Sequence, residues 1–170
     1  MNKDIILTSA YLAPVSYFTM LYSCEKAYIE CHDNYMKQTY RNRCIIDSAD
    51  GPLSLTIPVE KSSEGKCAMK DIRISDHGTW RHVHRKAFVA AYNRSAFFDY
   101  YMDEFNRFFE RKTEFLYDFN MDLTRWLCEQ IDIQPELIPT SEYMEGGSLL
   151  DLRDIIHPKR TQDEMKPFIT

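Results

Sequence analysis

Apolar and polar positions alternate at short range over the first seventy-odd residues and recur at helical spacing afterwards, so the pattern predicts strands first and helices second. Ile5 to Leu7 form one short apolar run and Ala27 to Cys31 another, each of strand length. Around the turn dipeptide Asp50-Gly51, the residues Leu53, Leu55, Ile57 and Val59 alternate with Ser54, Thr56 and Pro58. This predicts a hairpin with one buried face, and Pro58, which has no N–H to donate, marks an edge or a bulge. After a polar loop at Lys61 to Lys66, the run Asp71 to Ser75 predicts one more strand.

The period changes at Asp76. Trp80, Val83, His84, Ala87, Phe88 and Ala91 fall on one stripe, which predicts a helix capped by Asp76 or Thr79. A second helix is predicted from Ser95, with Phe97, Tyr101, Phe105 and Phe108 facing inward, and a third from about Asn120 to Ile131 around Leu123, Trp126 and Leu127. A Pro-bounded apolar piece, a Gly146-Gly147 break, a short helix ending near Pro158 and a loosely ordered polar tail complete the chain. The expected architecture is α/β: one domain over residues 1–170, with a mixed β-sheet from the N-terminal half covered by helices from the C-terminal half.

Composition narrows the class. Hydrophobic residues at 44% and charged residues at 28% match a folded domain rather than a disordered chain. The net charge of -5 argues against a nucleic-acid partner, which calls for a basic face. No stretch is long enough to span a bilayer, the N-terminal apolar run is too short for a signal peptide, and five cysteines without a CxxC pair read as reduced thiols. A cytoplasmic location is expected. Aromatics reach 14%, with 11 Tyr and 10 Phe, a composition that suits pocket walls as well as cores.

Chemistry concentrates in the run Tyr35 to Arg43, where Lys37, Arg41 and Arg43 stand among Gln38, Tyr40 and Asn42. If a strand begins at Arg41, then Arg41 and Arg43 share a face, and two guanidiniums on one face call for an anion between them. The alternative is a solvated edge bonded to some of the 26 acidic residues. Upstream, His32 and Asp33 are candidate polar site residues, while Cys31 beside them lacks the spatial pairing a catalytic thiolate needs. His82 and His84 would share a face of a strand, but the helical period turns His84 inward and His82 outward. His84 is therefore either a core histidine or an acid/base residue. His157, Lys159 and Arg160 form a second basic cluster, either solvated or anion-binding. No His, Cys, Asp and Glu set has metal-ligand spacing, no cofactor can be named, and GxGxxG, GxxxxGK[ST], GxSxG and HExxH are all missing.

Taken in order, "YLAPVSYF", "DNYMKQTYRNR", "LTIPVE", "WRHVHRKAFVAAYNRSAFF" and "IIHPKR" resemble the WbqC-like protein family over most of the chain. The matching positions are Tyr11, Tyr17, Phe18, Asp33, Tyr35, Lys37, Arg41, Asn42, Arg43, Pro58, Trp80, His84 and Tyr92. Departures are Ala13-Pro14 and Ser16 in the first loop, Ala96 where proline is usual, and an ending at Thr170 before a further segment common in the family. A C-terminally shortened domain is expected on that ground. The resemblance implies a bacterial protein of surface-polysaccharide clusters, including O-antigen clusters. The activity it implies is transfer of an acyl or aminoacyl group onto a nucleotide-linked amino sugar.

In that reading Lys37, Arg41 and Arg43 neutralise a diphosphate. Tyr11, Tyr35 and Trp80 flank rings, His32 and Asn42 supply further polar contacts, and His84 or Asp33 is the base. A module that binds a nucleotide sugar or other anion without chemistry, serving as a partner of a glycan enzyme, is the alternative. An assembly protein using exposed aromatics is a third reading.

Overall fold

The computed structural model describes residues 4–60 and 65–160. Most of the expected polar loop at Lys61 to Lys66, and all of the expected tail at 161–170, lie outside the described residues. The chain is α/β. Strand β1 (Ile5–Thr8) is buried at all four positions because it runs inside a parallel sheet, with β2 (Lys26–Glu30) on one side and β6 (Leu150–Asp151) on the other. Strand β5 (Glu136–Pro139) extends the sheet beyond β2, so the order is β5-β2-β1-β6. Two of the four strands thus come from the C-terminal part of the chain.

Helix α1 (Val15–Ser23) makes the crossover from β1 to β2 and buries Tyr17, Met20 and Leu21, which stand at the i, i+3, i+4 spacing of one helical face. Its Tyr17 hydroxyl donates to the Thr8 carbonyl at 2.9 Å, anchoring the helix to the end of β1. The sequence reading has no helix there. Strands β3 (Arg43–Ser48) and β4 (Gly51–Thr56) form the expected antiparallel hairpin, with Cys44 opposite Leu55 and Ile46 opposite Leu53. Gly51 takes a φ of 105° at the turn. Cys44, Ile46 and Leu55 are buried, while Leu53 beside the turn stays exposed and Pro58 lies past the end of β4.

The strand expected at Asp71 to Ser75 does not form. A 3-10 turn (Met69–Asp71) leads into single bridges, Val59 to Ile74 and Arg73 to Phe115, because the Ile74 and Ser75 N–H groups donate to separate segments, at Glu114 and Pro58. Helices α2 (Trp80–Tyr92), α3 (Phe98–Glu110) and α4 (Leu116–Gln130) follow. Helix α2 buries Trp80, His84 and Phe88, as its period predicts, although Val83 is exposed. In α3 the buried stripe is Met102, Phe105 and Phe109, shifted from the expected one; Phe97 precedes the helix with a φ of 61° and is 75% exposed. The short helix expected before Pro158 is a series of turns. Among the described residues no helix is long and apolar enough to cross a membrane.

Counted along the sheet, the strands appear in the order third, second, first, fourth. The chain therefore reverses direction of travel at β1 and β6, the arrangement in which open α/β sheets place ligands outside the carboxyl ends of their strands.

Candidate functional site

A cleft of about 580 Å³ opens at that carboxyl edge. Its walls come from the segment after β2, carrying His32 and Asp33, from the turn carrying Arg41, and from the ends of β5 and β6, carrying Tyr143, Asp151, Arg153 and Asp154. Behind them Glu30, the last residue of β2, has none of its surface exposed. Four donors converge on it: the His32 N–H (2.8 Å) and the Thr140 hydroxyl (2.9 Å) on one oxygen, the Met144 N–H (2.9 Å) and Arg153 Nη1 (3.2 Å) on the other. Burial disfavours its ionised form, but those hydrogen bonds and the Arg153 charge outweigh it and hold the carboxyl below its ordinary range. One carboxylate thus ties together three separate segments of the cleft.

Arg153 is equally committed. Its Nε donates to Asp151 Oδ1 at 2.9 Å and its Nη2 to Oδ2 at 2.5 Å, and its guanidinium lies 5.1 Å from the Tyr143 ring centroid. The pairing lowers the Asp151 carboxyl and raises the Arg153 guanidinium. Across the cleft Asp33 forms an ion pair with Arg41 Nη2, with side chains 12% and 7% exposed. Burial of Asp33 outweighs the Arg41 charge, so its carboxyl titrates above the ordinary range, while Asp33 Oδ1 and Arg41 Nε are buried without a hydrogen-bond partner. The turn is held from below by the Asn120 amide, which donates to the Arg41 carbonyl at 2.7 Å, and by the Tyr11 N–H, which donates to the Tyr40 carbonyl at 2.8 Å.

The residues singled out in the sequence fall in separate places. His32, Asp33 and Arg41 meet in the cleft. Tyr11, Trp80 and His84 instead meet in the core and are not among the residues lining the cleft. The Tyr11 hydroxyl lies 2.8 Å from His84 Nδ1, and the Trp80 and His84 rings pack at 5.2 Å. Burial there lowers the His84 pKa to about 4 and raises that of Tyr11. Asn42 is a staple to the backbone: its side-chain amide donates to the Ile57 carbonyl at 2.9 Å, and its main-chain carbonyl accepts the Ile57 N–H at 2.8 Å. The remaining candidates of "YMKQTYRNR", Tyr35, Lys37 and Arg43, are not among the residues lining the cleft. Strand β3 begins at Arg43, so Arg41 sits in a turn, buried against Asp33, and the shared strand face expected for the two arginines does not exist. Arg43 is half-buried on the hairpin, its Nε 3.4 Å from the Thr56 hydroxyl; Tyr35 is half-buried; Lys37 is exposed.

Glu30, Tyr143, Asp151 and Arg153 escaped the sequence reading. Glu30 did carry a signal, a carboxylate closing the otherwise apolar run Ala27 to Ile29, but the other three show nothing local that joins them to it across more than a hundred residues. Among the described residues no His, Cys, Asp and Glu group is placed to hold a metal ion.

A family model described as WbqC-like protein family matches residues 9–163, which takes in both walls of the cleft. The chain belongs to the WbqC-like family. No curated protein and no solved structure matches it. Membership of the WbqC-like family is consistent with a role related to polysaccharides.

Proposed function

We propose that this WbqC-like protein is a transferase of surface-polysaccharide synthesis whose cleft holds a nucleotide-linked amino sugar and whose Asp33 accepts the proton as the sugar amine is acylated. The supporting observation is Asp33 itself: a mostly buried carboxylate among the residues lining the cleft, paired with Arg41 through Oδ2 and with a raised pKa. A base with those properties is matched to its task. The amine attacks the carbonyl carbon of an activated acyl donor, a thioester or an ester. The C–N bond forms, the bond to the leaving group breaks, and the proton passes from nitrogen through Asp33 to the leaving group. Of the two candidate bases Asp33 is taken over His84, whose ring is enclosed by Tyr11, Trp80 and Phe109. Exposed Lys37, next to the cleft residue Met36, supplies charge for the phosphates at the rim.

Asp33→Asn keeps a hydrogen-bonding partner for Arg41 but removes the base. Single-turnover acylation of a UDP- or dTDP-linked amino sugar is expected to fall about 10²- to 10⁴-fold, with sugar-nucleotide affinity changed only a few-fold. Unchanged turnover would remove Asp33 from the reaction.

A second reading, a non-catalytic nucleotide-sugar binding module, is favoured by the thiol beside the cleft. Cys31 is buried, donates to the Thr140 carbonyl at 3.3 Å, and has its pKa raised by that burial, so it is no activated nucleophile. Stoichiometric binding with no turnover across acyl thioesters and esters would select that reading.

A further inference from the structure

Tyr143 is placed unlike the other aromatic side chains at the surface. Tyr22, Phe97, Tyr100 and Tyr101 are also exposed, but among the described residues Tyr143 alone of these lines the cleft, with 57% of its surface open. The Arg153 guanidinium lies over its ring, 5.1 Å from the centroid. That guanidinium is itself fixed, since Arg153 is bonded to Glu30 and Asp151 and its side chain is 10% exposed. The backbone next to the ring is fixed as well, because the Met144 N–H donates to Glu30 at 2.9 Å. One face of the ring is thus covered by a held cation, and the other is left open in the wall of the cleft.

The cation decides what suits the open face. An aromatic face attracts C–H groups and cations because its π density is negative. A guanidinium on the far side draws that density towards itself. This weakens the hold of the open face on the C–H groups of a sugar and lowers its repulsion towards a second π system. A flat heteroaromatic base gains most from such a ring, and base–aromatic stacking is a substantial source of affinity. Such a base is also neutral, so it can settle against this wall without displacing Asp151 or Glu30 from Arg153, as a phosphate would have to do.

We infer that Tyr143 is a stacking platform for the nucleobase of the sugar nucleotide, so that the base lies on the Tyr143 wall and the sugar reaches the wall carrying Asp33. The inference rests on the reading of the cleft as the nucleotide-sugar site and sets which end of the ligand meets which wall. It also gives Glu30 and Arg153 a shared task, since both hold the ring in place without touching the base.

The experiment combines isothermal titration and saturation-transfer NMR on the purified full chain, with UDP-glucosamine and a dTDP-linked 4-amino sugar as ligands. Tyr143→Ala is expected to weaken the better ligand about tenfold or more, the order of effect of one base–aromatic stack. Tyr143→Phe, which keeps the ring, is expected to hold affinity within about twofold of the wild type. In the NMR experiment the base protons of the bound ligand are expected to receive more saturation than the sugar protons, and Tyr143→Ala to lower the base signals relative to those of the sugar. Unchanged affinity in Tyr143→Ala would overturn the platform and leave the cleft reading standing, as would sugar protons saturated more strongly than the base in the wild type. An equal loss in Tyr143→Phe and Tyr143→Ala would also overturn it, since the hydroxyl rather than the ring face would be the contact. Binding of neither ligand by the wild type would overturn the platform and the cleft reading together.

Discussion

At the carboxyl edge of the sheet, Glu30 stays ionised with no exposed surface because four donors from three segments reach it. Beneath the helices, His84 is nearly as deep at 3% exposure, yet its ring is held neutral at neutral pH, with the Tyr11 hydroxyl on one nitrogen and aromatic rings around it. Burial penalises charge at both places, and the supply of hydrogen-bond partners decides whether the charge survives. The comparison separates two jobs for polar residues in this chain. Those in the cleft preserve charge next to an opening, whereas those around His84 align helix α2 with the segment after β1.

The largest effect that tests this contrast is expected on removing the charge in the cleft. Glu30→Leu takes from Arg153 one of its two carboxylate partners and leaves the Thr140 hydroxyl and two backbone N–H groups without acceptors, a change of about 3–5 kcal/mol by urea unfolding, accompanied by loss of sugar binding. A loss below about 1 kcal/mol would mean that the three segments hold together without it.

His84→Ala opens a hole in the aromatic core and is expected to cost about 2–4 kcal/mol, with sugar affinity unchanged. A collapse in affinity would join the two regions into one site. The pH dependence sharpens the same point. Because the folded His84 pKa, about 4, lies below its ordinary 6.5, the unfolded chain binds a proton first. Folding stability is therefore lost as pH falls from 6.5 towards 4, by up to about 3 kcal/mol for this group, and His84→Gln flattens that slope. Glu30, with its pKa lowered, acts in the same direction but at more acid pH, losing its contribution below the ordinary carboxyl range. Thermal melts from pH 7 to pH 3.5 on the wild type and His84→Gln separate the two.

The smallest effect belongs to Lys37→Ala. This exposed side chain has no hydrogen bond or ion pair among the described residues, so stability should change by no more than about 0.5 kcal/mol. Affinity for a nucleotide sugar should fall a few-fold at low salt and less at high salt. No change at any salt would take Lys37 out of the rim.

Strands β1 and β2, the β3–β4 hairpin and helices α2 and α4 are legible because each carries its own period over enough residues to stand out. Helix α3 is legible as a helix but not as a face, since Phe97-Phe98 and Phe108-Phe109 are adjacent pairs and admit two stripes. Strands β5 and β6 span only Glu136–Pro139 and Leu150–Asp151, too short for any period. In the candidate site, His32, Asp33 and Arg41 line one cleft, but the strand geometry that paired Arg41 with Arg43 did not hold.

By itself the sequence determined the α/β class, the family and the placement of polar chemistry just after β2, because these depend on local periods and on residue order. Tertiary structure alone decided that β5 and β6 flank β2 and β1, that Arg153 rather than Arg43 faces Asp33 across the cleft, and that His84 is packed in the core. Parallel pairing joins segments more than a hundred residues apart, and the ionisation of a buried group depends on donors that such pairing brings to it.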